Sequence, residues 1–127
     1  MTSEDKCFIC ATTNDDKILS TDRLASSLPF RDPVFPGHTV VAPESHVELE
    51  DVSGEEWQAI GEMLRRTSRA IRGSNAEIEK VYLVAIGDVD RGHLHFHLLP
   101  KHRNGPGLGP YVFGGDGWVS GGAQTDP

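Results

Sequence analysis

Three histidines alternate with apolar residues in the run His93-Leu94-His95-Phe96-His97-Leu98-Leu99. Along a β-strand, successive side chains point to opposite faces. One face of such a strand carries His93, His95 and His97; the other carries Leu94, Phe96 and Leu98. A row of imidazoles on an open face forfeits packing, so it points to chemistry. Neutral imidazole near pH 7 is a competent nucleophile, and imidazolium is a good partner for a phosphate oxygen. One metal ion shared by all three is disfavoured by reach. Same-face neighbours lie about 6.6 Å apart and the outer pair about 13 Å, whereas metal–nitrogen bonds are about 2.0–2.1 Å. The spacing favours a division of labour, with one nucleophile and neighbours that orient it or bind phosphate.

A second candidate is Cys7-Phe8-Ile9-Cys10. By itself a Cys-x-x-Cys admits a redox pair, half of a zinc site, or two core thiols. A thioredoxin-like redox pair opens a helix after a strand, and this one sits in a polar N-terminal segment. A closed structural zinc site needs four ligands, so two more must come from far along the chain.

These groups need a scaffold. Pro36-Gly37 is a turn pair, since proline presets the first central position and glycine accepts the positive φ of the second. His38–Ala42 then reads as a strand closed by Pro43, with weaker strand signals at 17–20 and 24–30. The clearest helix spans Glu55–Arg72. Ser53 and Glu56 form its capping box, and Trp57, Ile60, Leu64, Thr67 and Ile71 make one stripe. Val81–Ile86 is a continuous apolar run, as in a strand covered on both faces, and a last strand covers Leu94–Lys101. Strand, helix, strand and a tight return give an α+β fold: an antiparallel sheet with one main helix on a face. The 127 residues fit one domain, expected over 1–118, with 119–127 as a flexible tail. The glycine-rich stretch 104–118 reads as a loop, whose aromatics Tyr111, Phe113 and Trp118 either plug gaps beside the sheet or form a flap that covers a substrate.

Apolar residues make up 37% and charged residues 24%, the balance of a globular protein. Nineteen acidic against twelve basic side chains give a net charge of −7, which argues against nucleic acid or an anionic membrane surface as partner. No apolar run resembles a signal peptide or a membrane span, so the expected location is cytoplasmic, where a structural disulfide is disfavoured.

The pattern His93-Leu94-His95-Phe96-His97-Leu98-Leu99 resembles that of the histidine triad (HIT) superfamily. The segment Pro36-Gly37-His38-Thr39 through His46 is similar to that family's Pro-Gly-His-Thr strand and following histidine. Cys7-Phe8-Ile9-Cys10 resembles the opening of its zinc-containing branch. Together these motifs span about residues 7–101. The resemblance implies a nucleotide hydrolase or transferase that cleaves a phosphoester, phosphoanhydride or phosphoramidate at an α-phosphorus. It implies His95 as the attacking group that forms a phosphohistidine, His97 as a phosphate contact and His38 as an orienting residue. It also implies a structural Zn²⁺ held by Cys7, Cys10, His46 and His93, with His102 as a competitor for the last position. Members are commonly homodimers.

Two positions depart from the family pattern. Val89 stands where a glutamine usually contacts the phosphate chain, and Phe30 where an acidic residue usually holds the ribose hydroxyls. Arg91 and Asp32 are the nearby residues expected to bind substrate in their place. The departures favour an alternative, a zinc-stabilised nucleotide-binding module with little turnover. A third reading is a hydrolase that uses the histidine strand as active-site metal ligands.

Overall fold

The computed structural model describes residues 7–12, 16–21, 23–85 and 92–107. The expected tail, Val89, Arg91 and most of the 104–118 stretch lie outside the described residues.

The architecture is the expected one. Among the described residues, strands β1 (Leu19–Thr21), β2 (Ala25–Pro29) and β3 (Thr39–Pro43) precede one α-helix, α1 (Gly54–Ser74). Strands β4 (Ile78–Val84) and β5 (Phe96–His102) follow it. They form one five-stranded sheet in the order β1-β2-β3-β5-β4, with every neighbouring pair antiparallel.

Helix α1 starts where its cap dictates. Ser53 Oγ accepts the Glu56 N–H at 3.1 Å, and the Glu56 carboxylate accepts the Ser53 N–H at 2.8 Å. The same carboxylate also accepts the Ser45 hydroxyl, which ties the loop after β3 to the helix start. The buried helix face centres on Ala59, Ile60, Met63 and Thr67. Trp57, expected in the stripe, is instead 40% exposed and lies beside Phe96. Ala59, Ile60, Met63 and Thr67 take the sheet-facing side of the helix, which leaves Trp57 at the rim.

Val41, Ala25 and Leu98 meet that helix face and form the main core, with Leu94 and Phe96 packed against it. The apolar half of the histidine run therefore faces the helix, as the alternation requires. The opposite sheet face has two smaller covers. Cys7 and Ile9 pack on Ala42 at one end, and Val34 and Phe35 pack on Leu99 at the other. The histidines occupy the strip between.

Two strands differ from expectation. Among the described residues β4 is a sheet edge and only partly covered: Val81 packs on the helix-side core and Tyr82 and Val84 on the opposite face, but Leu83 is 55% exposed. A single helix about 10–12 Å wide cannot cover five strands spaced about 4.8 Å apart. β5 begins at Phe96 instead of Leu94. Its partner β3 ends at Pro43, which has no N–H to continue the ladder. The backbone before β5 is held by the Leu94 N–H donating to Val47 O at 2.7 Å.

Candidate active site and metal centre

The Pro36-Gly37 turn delivers the first histidine. Gly37 has φ of 90°, a conformation that favours glycine, and the His38 N–H donates to Phe35 O at 3.1 Å. The turn folds the 31–36 loop back over His38, whose Nδ1 accepts the Val34 N–H at 3.0 Å. His38 is 2% exposed, and this burial lowers its pKa to about 4, so the ring is neutral at pH 7. With Nδ1 accepting, the proton is on Nε2, which lies 2.8 Å from His97 Nδ1. His97 Nδ1 is therefore an acceptor, and His97 carries its own proton on Nε2.

The middle histidine is oriented differently. His95 Nδ1–H donates to the His93 carbonyl at 2.9 Å, which leaves its Nε2 lone pair available. The His95 and His97 rings lie 4.9 Å apart. An imidazole anchored through Nδ1, with Nε2 turned away from that contact, thus stands beside an imidazole that donates from Nε2. That pairing suits attack on an electrophile flanked by hydrogen-bond acceptors, such as a phosphoryl group.

His93 turns toward the N-terminal segment. Its Nε2–H donates to Pro43 O at 2.8 Å, and its Nδ1 lies 3.3 Å from Cys7 Sγ and 3.4 Å from Cys10 Sγ. Cys10 Sγ is also 3.2 Å from His46 Nδ1, and the Cys10 N–H points to Cys7 Sγ at 3.4 Å. One ligand atom from each of Cys7, Cys10, His46 and His93 lies within 4.8 Å of the others.

The donor set fits a tetrahedral zinc ion. Bonds of about 2.3 Å to sulfur and 2.0–2.1 Å to nitrogen put sulfur and nitrogen about 3.5 Å apart across a tetrahedron. The observed sulfur–nitrogen contacts are within a few tenths of an ångström of that. The His93–Pro43 hydrogen bond fixes the tautomer that presents Nδ1 as a ligand. Burial pushes His93 further toward the neutral, ligating form. His102, the competing ligand, is elsewhere, with Nε2 3.3 Å from Pro36 O. Among the described residues, no cluster uses His93, His95 and His97 as a common metal set.

A cleft of about 690 Å³ lies beside the N-terminal segment, and no histidine is among its lining residues. One wall is Phe8, Ala11, Thr12 and Asp16; the other is Leu28, Pro29 and Arg31. The size is in the range of sites for small organic ligands. Phe8 joins cleft to chemistry, since its ring meets His95 edge-on at 5.7 Å. Phe30 lies 4.5 Å from the His38 ring at a 30° tilt and meets His97 edge-on at 5.0 Å.

The structure thus brings His38, His95 and His97 together, and separately assembles Cys7, Cys10, His46 and His93. Asp32 is not drawn in: its carboxylate is 75% exposed and lies 3.5 Å from Arg31. Arg91 lies outside the described residues. The Phe8 wall and the Val34 N–H are contributions the residue spacing did not reveal. The position of Phe8 between two candidate ligands was the available signal for the first.

A sheet presenting alternating histidines from its fourth-placed strand, opposite a single capped helix, defines the HIT class of protein. The chain matches the HIT domain over residues 11–104, and it belongs to that family. The matched span holds all six histidines and leaves Cys7 and Cys10 just outside. The adenosine 5′-monophosphoramidase hnt1 of Schizosaccharomyces pombe is 30% identical over 108 residues, covering 81% of this chain and 80% of that protein. The fold is similar to a zinc-bound histidine triad family protein from Mycobacterium smegmatis. That likeness has a TM-score of 0.67 at 23% identity over 92% of this chain and 89% of the other. It is also similar to a hypothetical histidine triad nucleotide-binding protein from Sulfolobus tokodaii. There the TM-score is 0.65 at 21% identity over 86% and 76% of the two chains.

Proposed function

We infer that the protein is a HIT-type nucleotidyl hydrolase or transferase acting at an α-phosphorus, with a phosphoramidate, phosphoester or phosphoanhydride bond as its target. The observation that carries this reading is the His95 orientation, with Nδ1–H anchored on the His93 carbonyl and Nε2 left to attack. His95 Nε2 forms a bond to phosphorus while the bond from phosphorus to the leaving nitrogen or oxygen breaks. Water or another acceptor then takes the phosphoryl group from the histidine. His97, held by His38 in the tautomer that donates from Nε2, contacts the phosphoryl oxygens. The nucleoside part occupies the cleft between Phe8 and Leu28, within reach of Arg31 and Asp16. Asp32 and Arg91 are secondary candidates for substrate contact. The relative that is a monophosphoramidase supports an adenosine 5′-phosphoramidate as the first substrate to try.

Cys7, Cys10, His46 and His93 hold the proposed structural Zn²⁺, which when bound supplies a cross-link between the N-terminal segment, the loop after β3 and the approach to β5. Two thiols turned toward histidines suit a reducing, cytoplasmic setting. Homodimer formation is proposed on the family resemblance, and the β4 edge with exposed Leu83 offers a surface for it.

A second reading, a nucleotide-binding module with little turnover, draws on Phe30, an aromatic packed on His38 where family members usually place a carboxylate. One experiment separates the two. Adenosine and guanosine phosphoramidates and polyphosphates are assayed with zinc-loaded protein, with an α-labelled substrate quenched to trap an adduct. Turnover with an acid-labile, base-stable adduct supports the enzyme. Binding of panel members with no turnover supports the module.

A further inference from the structure

We propose that the metal-binding loop is itself a wall of the ligand cleft, so that metal binding and nucleotide binding are thermodynamically coupled through Phe8. The inference rests on the nucleotide reading above and adds a linkage between its two sites.

Phe8 sits between the two sulfur ligands in Cys7-Phe8-Ile9-Cys10. Its ring lines the cleft and meets both His95 and Phe30 edge-on, each at 5.7 Å. Ala11, Thr12 and Asp16, from the same segment, complete that side of the cleft. The facing wall belongs to β2 and the residues just after it, which the sheet fixes independently. One side of the cleft is therefore scaffold, and the other depends on whatever holds residues 7–12 and Asp16.

The ligand set is prominent among the contacts that hold it. The turn hydrogen bonds run within the segment: Ala11 N–H to Cys7 O, Thr12 N–H to Ile9 O, and the Thr12 hydroxyl to Phe8 O. They shape the loop without attaching it. Attachment includes Cys7 and Ile9 on Ala42, Phe8 on Phe30, Lys17 on Glu44 at the far end, and the approach of Cys7 and Cys10 to His46 and His93. Ordering a short segment costs conformational entropy in proportion to its length. The metal bonds are the strongest of these attachments and act on both sides of Phe8. A nucleotide that contacts Phe8 binds better when the loop is already placed. By linkage, the same nucleotide tightens the metal by the same factor.

The test uses wild-type protein, zinc and AMP, a ligand that undergoes no turnover. Zinc affinity is measured by equilibrium competition with a chromogenic chelator, with and without saturating AMP, and AMP affinity by calorimetry on zinc-loaded and zinc-free protein. The expected result is a tenfold or greater tightening of zinc by AMP, matched by the change in AMP affinity. Phe8→Ala, which removes no ligand, should keep zinc affinity within twofold in the absence of AMP and reduce the coupling to less than threefold. A coupling that survives Phe8→Ala undiminished overturns the proposal, because it would then travel through global folding. AMP binding to zinc-loaded protein with no shift in zinc affinity overturns the coupling alone. No AMP binding to zinc-loaded protein overturns the nucleotide reading and the coupling with it.

Discussion

His38 Nε2 stands 2.8 Å from His97 Nδ1, two residues 59 apart in sequence joined at the centre of the sheet face. The Val34 N–H occupies His38 Nδ1, so the direction of the pair is fixed: His38 donates and His97 accepts. A single backbone amide in the loop after Phe30 thereby sets the tautomer of a residue on another strand. Phe30, packed on His38, shields the arrangement from water. The pair works only while His38 is neutral, because protonation at Nδ1 would expel the Val34 N–H.

That constraint gives a pH signature in stability. His38 titrates near 6.5 when unfolded and at about 4 in the fold, lowered by burial. The unfolded chain therefore binds a proton that the folded chain refuses. The stabilisation is fully present above about pH 6.5, is lost as pH falls, and the loss levels off near pH 4. Between pH 7.5 and 5 the wild type should lose about 2 kcal/mol more than His38→Asn. Denaturant titrations across that range check it, and parallel curves for the two proteins would show that His38 ionises freely in the fold.

Replacing the proposed nucleophile should separate chemistry from structure. His95 is half-buried and is not among the candidate metal ligands. His95→Asn should keep the metal content and melt within a few degrees of wild type, while turnover falls by several orders of magnitude. Metal analysis, melting and single-turnover assays read the three quantities. Near-wild-type turnover would remove the covalent mechanism.

The metal centre predicts the opposite pattern. Protein purified without chelator should carry about one zinc ion per chain, and Cys7→Ser, Cys10→Ser or His93→Asn should each remove it. Melting temperature should fall in step with metal loss, because binding free energy at such a site is largely folding free energy. His102→Asn should retain the ion, since its ring lies at Pro36. Unchanged melting of a metal-free preparation would falsify the structural role.

Local patterns carried much of this architecture into the sequence. Ser53 and Glu56 announce the helix start through a cap that needs only neighbours, and Pro36-Gly37 announces its turn for the same reason. The alternation from His93 to Leu98 places histidines on one face even though the ladder begins only at Phe96. What spacing could not show depends on distant partners. Pro43 truncates β5 from across the sheet, and the width of the sheet leaves β4 at an edge. The proximity of Phe8 to His95 needs the N-terminal segment folded onto Ala42. The candidate metal ligands were legible through family resemblance; their convergence, over 86 residues between Cys7 and His93, is a property of the fold.

Two helix neighbours should respond very unequally to truncation. Met63 is fully buried against Val41 and Leu98, whereas Leu64 lies at the margin of that cluster. Met63→Ala should cost about 2–5 kcal/mol, and Leu64→Ala markedly less. Equal costs in denaturant titrations would mean that the helix is rotated back toward the Trp57 stripe.

The core also contains an identifiable weakness. Thr67 sits on the buried face of α1, and Ser27 lies in the middle of β2, both among the most deeply buried side chains. Neither hydroxyl has a hydrogen-bond partner among the described residues. A buried hydroxyl without a partner costs about 1–3 kcal/mol relative to a group that makes no such demand. Valine has nearly the shape of threonine and a similar helix propensity, so Thr67→Val removes the demand without opening a cavity. Stability should rise by about 1 kcal/mol, with no change in zinc content or turnover, because Thr67 faces the helix side of the sheet and the histidines face the other. Ser27→Ala tests the same logic from the strand, where the smaller side chain removes the hydroxyl and leaves only a small void. Thermal melts and chelator titrations of both variants measure the effect. A clear loss of stability in Thr67→Val would reveal that the hydroxyl is satisfied, with an ordered water as the partner to seek.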